Sequence, residues 1–243
     1  MTAAPSDQAA ARAEQRARTR ATLARLVVFS LVLAAIILVA GGDWGWVQGW
    51  AYAILLAIVS VGSRWWADRL HPGLLVERDS SQSLEDVKPW DRALSPLMAL
   101  TSSIVIYVVA GLDHRFGWSP TFAPWLTVVG LVLTVLGWAL STWALVANAF
   151  FSGVVRIQAD RGHTLCDTGP YRIVRHPGYA GLFLTVPGTV LALASLWAIV
   201  PGSVALIVAV IRTRLEDRTL HDELPGYQAY AQRTRWRLVP GVY

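Results

Sequence analysis

Residues 177–211 read PGYAGLFLTVPGTVLALASLWAIVPGSVALIVAVI, thirty-five positions without an Asp, Glu, Lys or Arg. A helix needs about 20 apolar residues to cross the hydrocarbon core of a bilayer. The run is therefore too long for one span and slightly short for two full ones. Pro187-Gly188 and Pro201-Gly202 interrupt it, and a turn near 194–197 would fold it into a tight helical hairpin. Four more charge-free runs lie upstream, at 26–42, 44–63, 93–112 and 116–155. The last of these breaks at Gly117, Trp118, Ser119 and Pro120 and again at Pro124, leaving one helix over 125–148.

The composition says the same. Hydrophobic residues make up 54% of the 243 positions and charged residues only 15%, against about 25% charged in a soluble domain. Such a chain cannot solvate its own surface in water. The expected fold is all-α: a polytopic helical membrane protein with about six transmembrane helices, near 24–41, 45–62, 94–111, 125–148, 179–195 and 197–212.

Orientation follows from the basic residues, which concentrate in cytosolic segments. With the N-terminus inside, 20 of the 21 Lys and Arg residues fall on the inner side, and only Arg115 lies outside. Both termini are then cytosolic. Arg12, Arg16, Arg18, Arg20 and Arg25 precede the first apolar run, but no small-residue cleavage pattern follows it. Residues 1–22 read as a disordered basic tail, 23–111 as membrane helices with a cytosolic loop, and 112–243 as the core carrying the chemistry. Trp44, Trp46, Trp50, Trp65, Trp66, Trp118 and Trp125 fall at expected span ends, where indoles sit at the headgroup level.

Two inner segments differ from ordinary connections. The first carries FFSGVVRIQ at 150–158 and DRGHTLCDTGPYRIVRHPGY at 160–179. The second carries RTRLED at 212–217, LPGYQAY at 224–230 and RTRWRLVP at 233–240. They abut the two ends of the hairpin, so folding should bring them together. Gly169-Pro170 imposes a turn, and Pro177 suits the first turn of a helix, where its missing N–H costs nothing. That helix start offers free N–H groups and a positive dipole end to a carboxylate. Arg175 and His176 add donors there, while Glu216 could accept both hydroxyls of a ribose. Taken singly, Arg175 also reads as a membrane-edge anchor, His176 as a turn residue and Tyr227 and Tyr230 as interfacial packing. Glu216 and Asp217 likewise read as a salt-bridged helix face with Arg212, Arg214 and Arg218. The one cysteine, Cys166, excludes an internal disulfide, and no metal cluster is expected.

The ordered combination carries more information than its parts. Gly169-Pro-Tyr171, the run Arg175 to Tyr179, a hairpin, Glu216-Asp217 and Leu224-Pro-Gly-Tyr-x-x-Tyr230 together resemble the isoprenylcysteine carboxyl methyltransferase family, including its bacterial members. The resemblance covers about the last 95 residues and extends weakly to 112–120 and 71–78. It implies S-adenosylmethionine in a cytosolic pocket and a lipophilic small-molecule or lipid acceptor reached from the bilayer. Carried over by motif, the cofactor would contact Gln158, His163, Thr164, Leu165, Cys166, Tyr171, His176, Pro177, Gly178, Tyr179 and Glu216. The family's substrate-side arginine matches Arg212, and Arg175 would lie between donor and acceptor, orienting an anionic acceptor group. Asp217 stands where the family often has a second Glu, and its shorter arm puts a direct contact in doubt. A carboxylate acceptor needs no general base at neutral pH, which favours a carboxylate or an already ionised thiol.

Two rival classes remain on the sequence: an NADPH-dependent membrane reductase of the sterol type and a non-catalytic membrane protein. A soluble methyltransferase is excluded, because no G-x-G-x-x-G opens a helix after a strand, and no nucleic-acid partner is expected. The basic residues are 20 Arg and a single Lys, Lys88, in an Ala-rich chain. This usage is common in high-GC bacteria and points to a bacterial plasma membrane.

Overall fold

The structure, a computed structural model, describes residues 5–74, 76 and 86–243, without the side chains of 5–13, 15 and 16. Residues 1–4 of the expected tail, and 75 and 77–85 of the first cytosolic loop, lie outside the described residues. Helix α1 covers Pro5–Gly41, α2 Val47–Leu70 and α3 Asp91–Phe116. They are followed by α4 at Pro124–Ala147, α5 at Pro177–Ala192, α6 at Ile199–Glu223 and α7 at Tyr227–Arg233. No strand occurs among the described residues. The disordered tail expected over 1–22 is corrected from Pro5 onward: this segment continues α1 as helix. Its Ala- and Arg-rich composition favours helix, and an adjoining span supplies the nucleus that an isolated peptide lacks.

Four helical stretches are long and apolar enough to cross a membrane: Ala17–Gly41, Val47–Leu70, Asp91–Phe116 and Pro124–Ala147. The C-terminal hairpin is present, and its turn falls where Pro/Gly placement and length put it. Its helices are shorter than the other four. The 16 residues of α5 rise about 24 Å at 1.5 Å each, against a hydrocarbon core of about 30 Å. In α6 the apolar stretch ends at Arg212. Pro187 sits inside α5 without ending it, and Pro201 lies in the first turn of α6. The turn itself carries Ala194 at φ 53° and is latched from α3. The buried Asp113 carboxylate accepts the Ser195 hydroxyl at 2.5 Å, and the Ser119 N–H and hydroxyl at 2.7 and 2.6 Å.

Helix α5 packs most intimately against α4, for a reason that is legible in the chain. Residues 130–137 read GLVLTVLG and residues 181–188 read GLFLTVPG. The helices run antiparallel, so Gly130 meets Gly188 and Gly137 meets Gly181 about a local two-fold. A Cβ on Gly188 would stand 2.7 Å from the Thr134 nitrogen and 2.8 Å from the Gly130 carbonyl oxygen. The repeated threonines match as well: Thr134 donates to the Gly130 carbonyl at 2.9 Å and Thr185 to the Gly181 carbonyl at 3.0 Å. Between lipid-exposed helices there is no hydrophobic drive to associate, and close backbone approach supplies the attraction instead.

The remaining face of α5 completes a core with Leu33, Ile37, Tyr52, Ile106 and Tyr107. There the Tyr52 hydroxyl meets Thr189 at 2.6 Å. Of the tryptophans expected at span ends, Trp46 is instead core, 3% exposed and stacked on His114 at 4.2 Å. The six others in that set stay exposed.

Replacing Gly137 by Val should cost about 1–3 kcal/mol through overpacking, lowering the unfolding temperature in detergent. Gly62→Ala, where an added Cβ meets nothing within 4 Å, should leave that temperature unchanged or slightly higher.

Candidate active site

Beyond Ile211, α6 turns polar, and its side chains fan toward three partners. Arg212 and Glu216 are one turn apart on one face, with Asp217 beside them. The Asp217 carboxylate, 9% exposed, gathers five donors. Arg175 grips it with two N–H groups, Nε to Oδ1 at 2.7 Å and Nη2 to Oδ2 at 2.9 Å. Arg237 Nε adds 2.8 Å, the Tyr227 hydroxyl 2.8 Å and His176 Nε2 3.2 Å. Burial alone would raise this carboxyl, but donation from His176 and Arg175, with Arg237, holds it well below the usual carboxylate range. The same carboxylate and burial push the Tyr227 phenol up.

This knot fixes the C-terminal segment across the start of α5. The Arg175 and His176 N–H groups donate to the Trp236 and Arg237 carbonyls, each at 2.9 Å. Arg175 Nη1 reaches the Thr234 and Arg235 carbonyls at 2.9 and 2.8 Å. Four donations of its guanidinium are thus committed within the protein. The expectation that Arg175 orients an acceptor is corrected: it is a positioning residue, holding the tail and Asp217 against α5.

Glu216 is placed differently. The Tyr179 hydroxyl donates to Oε2 at 2.8 Å, while Oε1 stands 3.9 Å from His176 Nδ1. A quarter of the Glu216 side chain is exposed. With His176 Nε2 turned to Asp217, Nδ1 faces Glu216. The first turn of α5 leaves the Gly178 and Tyr179 N–H groups without intrahelical acceptors, next to the same carboxylate.

Arg212 is buried and lies under the Tyr179 ring, 5.4 Å from its centroid. Its partner is Asp91 at the start of α3, fully buried, which takes Nε and Nη2 at 2.7 and 2.9 Å. Asp91 also accepts the Val155 N–H at 2.7 Å, and Lys88 pairs with Glu223 at 2.6 Å. The first cytosolic loop is thereby laced to both the 150–163 segment and α6. Sequence reasoning missed Asp91, which comes from the 23–111 segment rather than the expected core. The only available signal was a lone carboxylate at a span entrance.

The segment from 148 to 171 forms the remaining wall. Gln158 is 1% exposed; its amide donates to the Phe150 carbonyl at 2.7 Å and accepts Arg161 at 2.5 Å. It shapes the loop from within, which corrects its expected place among the cofactor contacts. His163 stacks on Phe150 at 4.7 Å. Burial and the cations of Arg156 and Arg161 lower its imidazole, so the ring is neutral at pH 7. Thr164 is exposed. Leu165 and Cys166 join Tyr171, Leu224, Tyr227 and Tyr230 in an apolar cluster, in which Tyr230 donates to the Tyr171 carbonyl at 2.7 Å. Pro177 is buried at the head of α5. The structure therefore gathers Tyr171, His176, Gly178, Tyr179, Arg212 and Glu216 around the inner end of the hairpin.

The Asp217 knot has a pH signature. Its folded pKa is depressed, so its stabilisation is complete above the ordinary aspartate value of about 3.9. It is lost as pH falls below that value toward the folded pKa. Asp217→Asn should flatten the acid limb of the stability curve below about pH 4. Asp217→Ala, which strands a buried guanidinium, should cost about 3–5 kcal/mol in denaturant titrations at pH 7.

Comparison with known proteins places this geometry. The sequence model of the phospholipid methyltransferase family matches residues 125–224. A probable protein-S-isoprenylcysteine O-methyltransferase of Oryza sativa subsp. indica is 34% identical over 116 residues, 44% of this chain and 58% of that protein. The cobalt-zinc-cadmium resistance protein CzcN of Cupriavidus metallidurans is 34% identical over 134 residues, 54% of this chain and 58% of its own. The protein-S-isoprenylcysteine O-methyltransferase of Saccharomyces cerevisiae is 34% identical over 98 residues, covering 40% and 39%. The chain thus spans a little over half the length of the first relatives it matches, and less of the yeast protein. Through its C-terminal half, where the matched residues and the folded site coincide, the chain belongs to the isoprenylcysteine carboxyl methyltransferase-like family.

Proposed function

We propose that this protein is an integral membrane methyltransferase that moves a methyl group from S-adenosylmethionine to a lipophilic acceptor. The observation that carries the reading is the meeting of the α5 start, Glu216 and Arg212 at the inner end of one hairpin. In this reading all six helices are inserted, with both termini on the cytosolic side of a bacterial plasma membrane, and residues 112–243 form the catalytic core.

The residues present suit the cofactor. The Gly178 and Tyr179 N–H groups and the α5 dipole would receive its carboxylate. Glu216 Oε1 would accept ribose hydroxyls, and the apolar cluster of Leu165, Cys166 and Tyr171 would border the adenine. His163 and Thr164 lie at the rim of the same wall. When bound, the cofactor supplies an electrophilic methyl group on a sulfonium. The protein's part is to bind, align and exclude water. Tyr179 has two tasks, steering Glu216 through its hydroxyl and covering Arg212 with its ring.

On the acceptor side, Arg212 would hold the nucleophilic group. A carboxylate acceptor is ionised at neutral pH and needs no base. A thiol would have to arrive ionised, because His176 donates through Nε2 to Asp217 and keeps only Nδ1, facing Glu216. A carboxylate or thiol acceptor on an apolar body therefore fits best.

S-adenosylhomocysteine should raise the unfolding temperature of the purified protein, and NADPH should not. Glu216→Ala and His176→Ala should remove that shift, since losing hydrogen bonds to a charged group costs about 1.5–3 kcal/mol each, or roughly tenfold to a hundredfold in Kd. Arg212→Ala should keep the shift and lose turnover of labelled methyl groups. Undiminished binding in both of the first two variants would defeat the assignment.

A further inference from the structure

The acceptor side of the site has a second component that lies outside the residues matched by the family, 125–224. Arg212 carries five N–H groups. Asp91 takes one on Nε and one on Nη2, and the Gly153 carbonyl lies 3.2 Å from Nη2. The outer edge of the guanidinium is thus closed on the Nη2 side. Nη1 has as its one hydrogen-bond contact the Met98 sulfur, at 3.8 Å, a soft acceptor that an oxyanion or thiolate would readily displace.

Asp91 and Met98 are seven residues apart on α3, two turns along the same face. One closes the Nε side of the guanidinium and the other borders Nη1. The helix is shaped to do this. Pro96 lies inside it, and the next stretch, Leu100–Val105, widens to π geometry, a feature that often marks functional sites. The Thr101 hydroxyl takes the Leu97 and Met98 carbonyls at 2.8 and 3.2 Å. Beside Met98, Leu97 and Leu100 are exposed, and so are Ile207 and Ile211 on α6. Met98 therefore stands between the guanidinium and the apolar surface offered to lipid. Its unbranched thioether adapts its shape to what it touches.

We propose that Met98 is a specificity-determining residue: it selects the acceptor by the bulk of the apolar body adjoining the group held by Arg212. The inference rests on the methyltransferase reading and adds a residue to it. The acceptor it implies carries one anionic oxygen or sulfur, taken by the Nη1 edge alone, on a chain running out beside α3 and α6.

The test uses the full-length detergent-solubilised protein and its Met98→Ala, Met98→Phe and Met98→Leu variants. S-adenosylhomocysteine binding is measured by calorimetry. Transfer of labelled methyl is measured to N-acetyl-cysteines bearing geranyl, farnesyl or geranylgeranyl groups, and to fatty acids and alkyl thiols of graded length. All three variants should bind S-adenosylhomocysteine as the parent does. Met98→Ala should move the kcat/KM preference roughly tenfold toward bulkier chains, Met98→Phe should move it the opposite way, and Met98→Leu should restore the parental order. An unchanged order in both the Ala and Phe variants overturns the proposal. So does loss of S-adenosylhomocysteine binding in the conservative Leu variant, which would make Met98 a packing residue. Absence of binding, or of transfer to every acceptor, in the parent protein overturns the methyltransferase reading and this inference with it, and is seen before any substitution is made.

Discussion

The inner end of this protein is organised by one buried carboxylate. Asp217 receives donors from Arg175, Arg237, His176 and Tyr227, drawn from the α5 entrance, the C-terminal segment, α7 and α6 itself. A buried ion pair is weak evidence for stability, because desolvation offsets most of the attraction. What it gives here is uniqueness of arrangement: only one docking of the C-terminal segment satisfies two guanidiniums and one carboxylate at once. The backbone donations from Arg175 and His176 to Trp236 and Arg237 then hold the start of α5 in a single pose. A helix start is a usable anion site only when its N–H groups are held still and left unspent. The knot achieves both, because the charges that could fill that site are already engaged.

The same logic recurs along α6 with one exception. Arg212 is matched by Asp91 and Asp217 by Arg175, each partner lying on another element. Glu216, between them, receives a neutral donor, the Tyr179 hydroxyl, and no guanidinium. The uncommitted charge of this row is therefore negative and faces the α5 entrance. A ligand completing the site would bring hydroxyl donors or positive charge to Glu216, and a carboxylate to the N–H groups beside it. These are demands of opposite sign a short distance apart, which suit a zwitterion better than a simple anion.

Much of the fold was legible because span lengths, prolines and arginine placement are local signals. The hairpin turn near 194–197 followed from run length and Pro/Gly position, and the duplicated GLxLTVxG lay in plain view as the α4–α5 contact. Residues whose meaning depends on a distant partner were harder. Arg175 looked like a ligand-facing cation because its neighbours form a recognisable motif, yet its partners, Asp217 and the 234–235 carbonyls, lie far along the chain. Asp91 stands 121 positions from Arg212, and no pattern near it distinguishes it from any carboxylate at a membrane edge. Gln158 has the reverse history: a ligand-like side chain turned inward by its own loop. Local helix propensity was also underweighted over 5–22, where composition suggested disorder and continuity with a span decided for helix.

The division of the site between segments has a chemical consequence. Tyr171, His176, Tyr179, Glu216 and Arg212 all fall within residues 125–224, so one hairpin with its flanking loops carries the cradle proposed for the methyl donor. The edge facing Arg212 is borrowed from α3, through Asp91 and Met98. Donor and acceptor walls thus meet at a single guanidinium but belong to different parts of the chain. Substitutions on α3 change the volume and polarity next to the acceptor without touching the Asp217 knot or the α5 entrance. In the proposed reaction, which needs alignment more than a base, displacing the acceptor by an ångström would be felt in the rate while donor binding stayed intact. A fold built this way can change its acceptor by repacking its earlier helices against a constant hairpin, provided a carboxylate at the head of α3 still holds the guanidinium in place.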